Sequence, residues 1–222
     1  LEEDDLLNLL VLAGPGFGRF CLDRMEKELH AKINWAYFTN RVIMNALSYG
    51  VDYFPANYDE LSLYDGILFA GLGAYVLEDF QRRMVLDYLE VGGDVLVLGG
   101  NTAMNGWVGE GNILANIFPL KNPGPFYIRG FAVPERIQPV FEEYTDIFTN
   151  ELSPTVEFVH QCEVNAASRT ILTAGDGPLL VQRDVGMGRM LAFLGTAMGE
   201  NCDNAFWNWQ EWPTFLEQLF SR

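Results

Sequence analysis

The chain has 222 residues, of which 49% are hydrophobic and 20% charged, a composition that belongs to a folded globular protein and excludes a disordered one. Its formal net charge of −16 would repel a phosphate backbone or an anionic bilayer surface, which argues against nucleic acid and membrane as partners. No apolar run approaches the roughly 20 residues needed to span a bilayer.

In chain order, the acidic run at 2–5 reads as a solvated lead-in. The chain opens on Leu1 rather than Met and shows no signal peptide, which fits a trimmed product or a domain cut from something longer. The apolar run 9–13 ends in Gly14-Pro15-Gly16-Phe17-Gly18 and predicts a buried strand. Leu22, Met25 and Leu29 then recur at helical spacing. Residues 33–38 are aromatic and branched, as in a strand, and 41–47 read as a second helix.

Tyr64-Asp65-Gly66 leads into a strand at 67–70, closed by Gly71-Leu72-Gly73. Leu77, Phe80, Met84, Tyr88 and Val91 form one helical face, stopped by Gly92-Gly93. Val95-Leu96-Val97-Leu98 is a further strand, ending in Gly99-Gly100. Strands apolar on both faces and alternating with helices predict a parallel sheet covered by helices.

From 101 to 154 glycine, proline and asparagine are common, and helical periodicity is weak apart from 113–118. This segment reads as a loop-rich insertion of loops, a short helix and irregular strands. Beyond it, strands are expected at 156–160, 170–174, 179–183 and 190–194, the last two joined as a hairpin. A short helix at 213–220 closes the chain, with Pro213 in its first turn. Residues 1–222 are thus expected to form one α/β domain with a mostly parallel central sheet and a β-rich C-terminal third.

Ligands of open α/β sheets bind at the carboxyl ends of the strands. The glycine-rich ends therefore nominate Gly14, Gly16, Gly71, Gly73, Gly100, Asn101 and Thr102 as ligand-binding residues. Gly14, Gly16 and Gly18 do not keep the spacing of a dinucleotide fingerprint, and no Gly-Lys-Ser/Thr follows for a phosphate loop, so no cofactor is expected.

The three cysteines, Cys21, Cys162 and Cys202, are widely spaced and the only histidines are His30 and His160. A disulfide scaffold or a His-rich metal centre is not in view, and free thiols suit the cytoplasm. Cys21 lies early in the first helix and reads first as a buried helical cysteine, the alternative being a thiol whose pKa the helix dipole lowers. His160 and Cys162 alternate along one strand without a third group. Cys202 sits in the polar loop Gly199-Glu200-Asn201-Cys202-Asp203, where Glu200 and Asp203 are too few for a metal site. Phe206-Trp207-Asn208-Trp209-Gln210-Glu211-Trp212 is either an aromatic lid on the sheet or a sugar-stacking surface.

The order of Tyr64-Asp65-Gly66-Ile67-Leu68-Phe69, Gly92-Gly93-Asp94-Val95-Leu96-Val97-Leu98-Gly99-Gly100, Gly177-Pro178-Leu179-Leu180-Val181 and Gly186-Met187-Gly188-Arg189-Met190 resembles the class I glutamine amidotransferase-like superfamily. The resemblance implies a flavodoxin-like three-layer sandwich, a Cys on the elbow after a central strand, and a His and Glu after a late strand. The chain departs from this at both places. Its elbow reads Gly99-Gly100-Asn101-Thr102-Ala103, and its late strand runs into Gly195-Thr196-Ala197-Met198-Gly199-Glu200.

The expectation is a module without glutaminase activity that binds a small molecule or a protein partner at the strand ends, with homo-oligomerisation left open. The alternatives are a hydrolase with relocated chemistry at Cys21, Cys202, Glu200 or a metal, and a carbohydrate-binding domain using Trp207, Trp209 and Trp212.

Overall fold

The computed structural model describes residues 6–43, 46–121, 127–148 and 153–221; the lead-in at 2–5 lies outside them. The first half holds β1 (Asn8–Ala13), α1 (Asp23–Leu29), β2 (Lys32–Ile43), β3 (Ala46–Asp52), α2 (Tyr58–Leu61), β4 (Gly66–Ala70), α3 (Asp79–Glu90) and β5 (Asp94–Leu98). Next come β6 (Leu120–Lys121), β7 (Ile128–Pro139), α4 (Thr145–Phe148), β8 (Thr155–His160) and β9 (Glu163–Val164). The chain ends with β10 (Arg169–Ala174), β11 (Gly177–Val185), β12 (Gly188–Phe193), β13 (Gly195–Thr196) and α5 (Trp212–Phe220).

Among the described residues eleven strands form one sheet in the order β13-β8-β7-β10-β11-β12-β5-β4-β1-β2-β3, and β6 pairs with β9 apart from it. Four neighbouring pairs run parallel, within the block β2-β1-β4-β5-β12. Six run antiparallel. This overturns the expectation of a flavodoxin-like α/β sandwich on a mostly parallel sheet. The sheet is mixed, strand dominates over helix, and α2 and α4 are single turns.

The physical reason lies in two places. The hairpin expected between β11 and β12 turns in two residues, Gly186-Met187, and so short a link joins only antiparallel strands, which sets an antiparallel pair against the parallel block. The middle segment then adds the long strand β7, where loops, a short helix and irregular strands were expected. The twelve-residue β7 is mostly solvent-exposed and carries no apolar alternation, so its sequence gives no strand signal. Its Pro134 falls where the pairing with β8 shifts register, between Gly130 and Glu135, a place that requires no ladder hydrogen bond. The expected helix at 41–47 is also corrected. Residues 41–43 end β2 and 46–47 begin β3, with 44–45 outside the described residues. The expected helical turn at 113–118 is a series of turns.

Alternation along the parallel strands divides the core in two. Leu9, Val11, Leu68, Leu96, Leu98, Leu191 and Phe193 face Met25 of α1, α5 and the aromatic segment 205–212. Leu10, Leu12, Ile67, Phe69, Val95 and Val97 face Met84, Val85, Tyr88 and Leu89 of α3, together with Trp107, Leu114 and Phe118. Helix α3 starts at a capping box in which Glu78 and Gln81 each bond the other's backbone. No helix among the described residues is long and apolar enough to cross a membrane.

Candidate functional site

Strands β1, β4 and β5 run parallel and end together, and this brings the three glycine loops into contact. Gly71 is the pivot. Its φ of 66° is a left-handed conformation that glycine adopts without strain. A Cβ added to Gly14 would lie 2.8 Å from the Gly71 carbonyl oxygen, and one added to Gly100 would lie 2.8 Å from Gly71 Cα. Only hydrogen side chains permit this approach. The Thr102 hydroxyl donates to the Gly71 carbonyl at 3.2 Å and ties the third loop to the second.

A crevice of about 160 Å³ opens among these loops, lined by Gly16, Arg19, Gly71, Gly100, Asn101 and Thr196, among others. Four of the nominated ligand-binding residues, Gly16, Gly71, Gly100 and Asn101, therefore share one wall. Gly14 and Thr102 stand behind it, holding the loops together, and Gly73 is pressed against the carbonyls of Thr102, Ala103 and Asn105. Arg19 and Thr196 were not nominated. Arg19 donates to the Ala197 carbonyl at 3.3 Å and closes one side. Thr196 was findable in principle, because β12 lies parallel to β5 and its end must fall on the same edge.

His160 is 3% exposed at the end of β8 and reaches the back of this wall. Its Nε2 lies 3.1 Å from both the amide nitrogen and the carbonyl oxygen of Gly100. Its Nδ1 is buried and has no hydrogen-bond partner among the described residues. Burial pushes the imidazole down to about 4, against a smaller opposite effect of the Gly100 contact. The ring is thus neutral at pH 7.

On unfolding the ring regains an ordinary pKa near 6.5, so below that pH the unfolded chain binds the proton first. Stability from this group is complete above about 6.5 and is lost as the pH falls toward 4, by about 3 kcal/mol in all. Urea unfolding of the wild type and of His160→Gln at pH 7 and pH 4.5 measures it. The stability lost between the two pH values should be smaller in the variant by that order, since the carboxylates titrate in both; equal losses would show that the ring is not held neutral.

The thiols do not meet either imidazole in a hydrogen bond among the described residues. Cys21 is not on α1 but follows a single 3₁₀ turn, Phe17–Phe20, with a φ of 51°. Its thiol faces the Arg19 carbonyl at 3.7 Å, and burial, then the charge of Asp23, raises its pKa. Burial pushes Cys162 up to about 12. Cys202 packs part-buried on the core, and its carbonyl accepts from Asn208. Glu200 is exposed, and its backbone N–H donates to Glu157. No group of three or more His, Cys, Asp or Glu among the described residues is placed to hold a metal ion.

The aromatic segment is a lid. Trp207, Trp209 and Trp212 are 3%, 3% and 1% exposed; Trp209 stacks on Phe148, and the other two pack tilted or edge-on against Phe193, Phe206 and Phe215, so their faces are not open to a sugar.

No family model matches the chain, and no curated protein matches it. Solved structures do resemble it. The cytoplasmic proteins STM3548 from Salmonella typhimurium and STM1381 from Salmonella typhimurium LT2 each superpose with a TM-score of 0.71 at 15% identity, over 96% of this chain and 98% of theirs. The mmIFT52 N-terminal domain gives 0.54 at 14% identity, over 86% of each chain. Gan42B, a GH42 beta-galactosidase from G. stearothermophilus, gives 0.56 at 10% identity, with 97% of this chain matched to 30% of that enzyme. At such identities the likeness is one of fold. None of these neighbours is named an amidotransferase, and the amidotransferase-like label finds no support among them.

Proposed function

We propose that the chain is a non-catalytic binding module that takes a small polar ligand, or a polar side chain of a protein partner, in the crevice at the carboxyl ends of β1, β4, β5 and β12. The observation that carries this reading is the convergence of the glycine loops, pressed to backbone contact at Gly14, Gly71 and Gly100, on a crevice edged by Arg19 and Asn101. Packed loops hold a preformed cleft, and preformed clefts lose little free energy to ordering when a ligand enters. The volume of about 160 Å³ corresponds to roughly five waters, which suits a head group rather than a whole cofactor. The Arg19 guanidinium donates, and the Asn101 side-chain amide both donates and accepts, which suits a carboxamide, itself donor and acceptor.

We place the protein in the cytoplasm; the names of the two Salmonella neighbours support this.

Titration of ¹⁵N-labelled protein with acetamide, L-asparagine, L-glutamine and a panel of saccharides tests the reading. At least one carboxamide should shift the amides of Gly16, Gly71, Gly100 and Asn101 together, and Arg19→Gln should weaken that response about tenfold. No ammonia should form from glutamine. Silence of those amides across the panel would refute the crevice as a binding site, and sustained ammonia release would refute its non-catalytic character.

A further inference from the structure

Strand β2 outruns its neighbour in the sheet. Its pairing with β1 ends where Tyr37 meets Ala13, yet β2 continues six residues further, to Ile43, with β3 as its strand partner. Six residues extend about 20 Å. A two-stranded arm therefore projects past the carboxyl ends of β1, β4 and β5. Its outer strand β3 stands last in the sheet order. Apart from the ladder to β2, no backbone hydrogen bond among the described residues reaches Ser48, Tyr49, Gly50 or Val51.

Two-stranded ribbons are marginal in water and gain stability from a third strand or a packed face. This arm is packed on one face, where Phe38 and Tyr49 meet Tyr75 with ring centroids 6.4 and 5.7 Å away. Its outer edge lacks the devices that keep strand edges apart, which are bulges, prolines and lysines. The register of β2 on β3 runs without a shift. Residues 38–51 contain no proline, no lysine and no acid, and their sole charged residue is Arg41, in a chain of net charge −16. Tyr49, in the middle of β3, is 47% exposed.

From this geometry we infer that β3 pairs antiparallel with β3 of a second copy of the chain, about a twofold axis near Tyr49, so that two arms close into a four-stranded sheet. Charge selects the occupant. A basic partner is drawn to the acidic surface rather than to an arm without a carboxylate. Two copies of this chain repel each other elsewhere, and the arm is where they approach without opposing carboxylates. Pairing about Tyr49 sets Asp52 opposite Ala46 and brings the two Tyr49 side chains opposite each other, an aromatic cross-strand pair. The inner edge of β2 competes poorly, because the loop at 14–18 stands beside its base, with the Phe17 ring 6.3 Å from that of Tyr37. A contact of one seven-residue strand per copy is at the small end of specific interfaces, so the dimer forms at high protein concentration.

Sedimentation equilibrium of the full chain over a concentration series tests the inference. The mean mass should rise with concentration toward twice that of one chain, and amide exchange at 48–51 should slow over the same range. Gly50→Lys is the edge variant. A Cβ at Gly50 meets Thr39 Oγ1 at an ordinary 3.5 Å, so the arm accommodates the new side chain and the melting temperature of the monomer should not fall. Position 50 of one arm lies diagonal to position 50 of the other, within reach of long side chains, so two lysines should weaken association about fivefold. Gly50→Glu should do the same, and an equimolar mixture of the two variants should regain the association. A chain that keeps its single mass at every concentration overturns the inference. So does a dimer that Gly50→Lys leaves intact, or one that the mixture fails to restore. Slow exchange at 48–51 that is independent of concentration would show the edge covered within one chain and would equally overturn it. The inference does not rest on the crevice, whose ligand reports through Gly16, Gly71, Gly100 and Asn101.

Discussion

Replacing Asp94 by Asn should lower the melting temperature by on the order of 10 °C. Asp94 is 2% exposed at the start of β5 and faces Arg189 at the start of β12. One carboxylate oxygen accepts the Arg189 backbone N–H at 2.9 Å, and the other accepts Nε at 3.1 Å and Nη2 at 2.5 Å. The same Nη2 donates to the Leu219 carbonyl at 2.8 Å, near the end of α5. A single ion pair therefore fastens two parallel strands and the last helix. Asn keeps the shape but removes the charge and turns an N–H₂ toward a guanidinium.

Removing one partner of a buried pair costs about 3–5 kcal/mol, because the other charge stays behind without compensation. At roughly 2–4 °C per kcal/mol for a domain of this size, the fall is on the order of 10 °C. Scanning calorimetry reads it directly. The double variant Asp94→Asn/Arg189→Met should recover part of the loss, since it removes the stranded charge as well. A single variant within about 1 kcal/mol of wild type, the usual worth of an exposed pair, would show that the clamp carries no weight.

Trp212→Ala should cost a similar amount and act on a different seam. Trp212 opens α5, is 1% exposed and packs against Phe193, Phe206 and Phe215 with ring centroids 5.5, 5.1 and 5.9 Å away. Its Nε1–H donates to the Phe20 carbonyl at 2.8 Å. Truncation to Ala removes about 3–5 kcal/mol of packing and leaves the Phe20 carbonyl without its donor. Trp212→Phe keeps most of the ring contact and should cost only the hydrogen bond, about 1–3 kcal/mol.

Phe20 belongs to the turn that carries Arg19 into the crevice. Both variants should therefore speed hydrogen exchange in 17–20 before they affect β4 or β5. Denaturant unfolding with hydrogen exchange checks both statements. Equal stability of the Ala and Phe variants would mean that the ring does not fill the space it occupies here.

How much of this was legible beforehand differs between regions for identifiable reasons. The runs 9–13, 67–70 and 95–98 are apolar on every residue and bounded by glycine, and each became a buried central strand. The helix ending at Gly92-Gly93 followed from its apolar spacing. The crevice was half visible. Glycines at the ends of parallel strands mark where backbones meet, but Arg19, Thr196 and His160 come from a 3₁₀ turn, β13 and β8, and only the fold brings them there.

The amino-acid sequence by itself determined the central strands, the helices α1, α3 and α5, and the glycine loops, because each depends on local spacing of apolar and turn residues. The tertiary structure alone decided the strand order of the mixed sheet, the strand β7 and the antiparallel pairing of β2 with β3. Those strands form through hydrogen bonds to distant partners, and an exposed strand whose ladder satisfies its backbone needs no apolar pattern of its own. It also decided that three tryptophans close the core and that one buried imidazole stands behind the crevice wall at Gly100, since burial is a property of the packed chain.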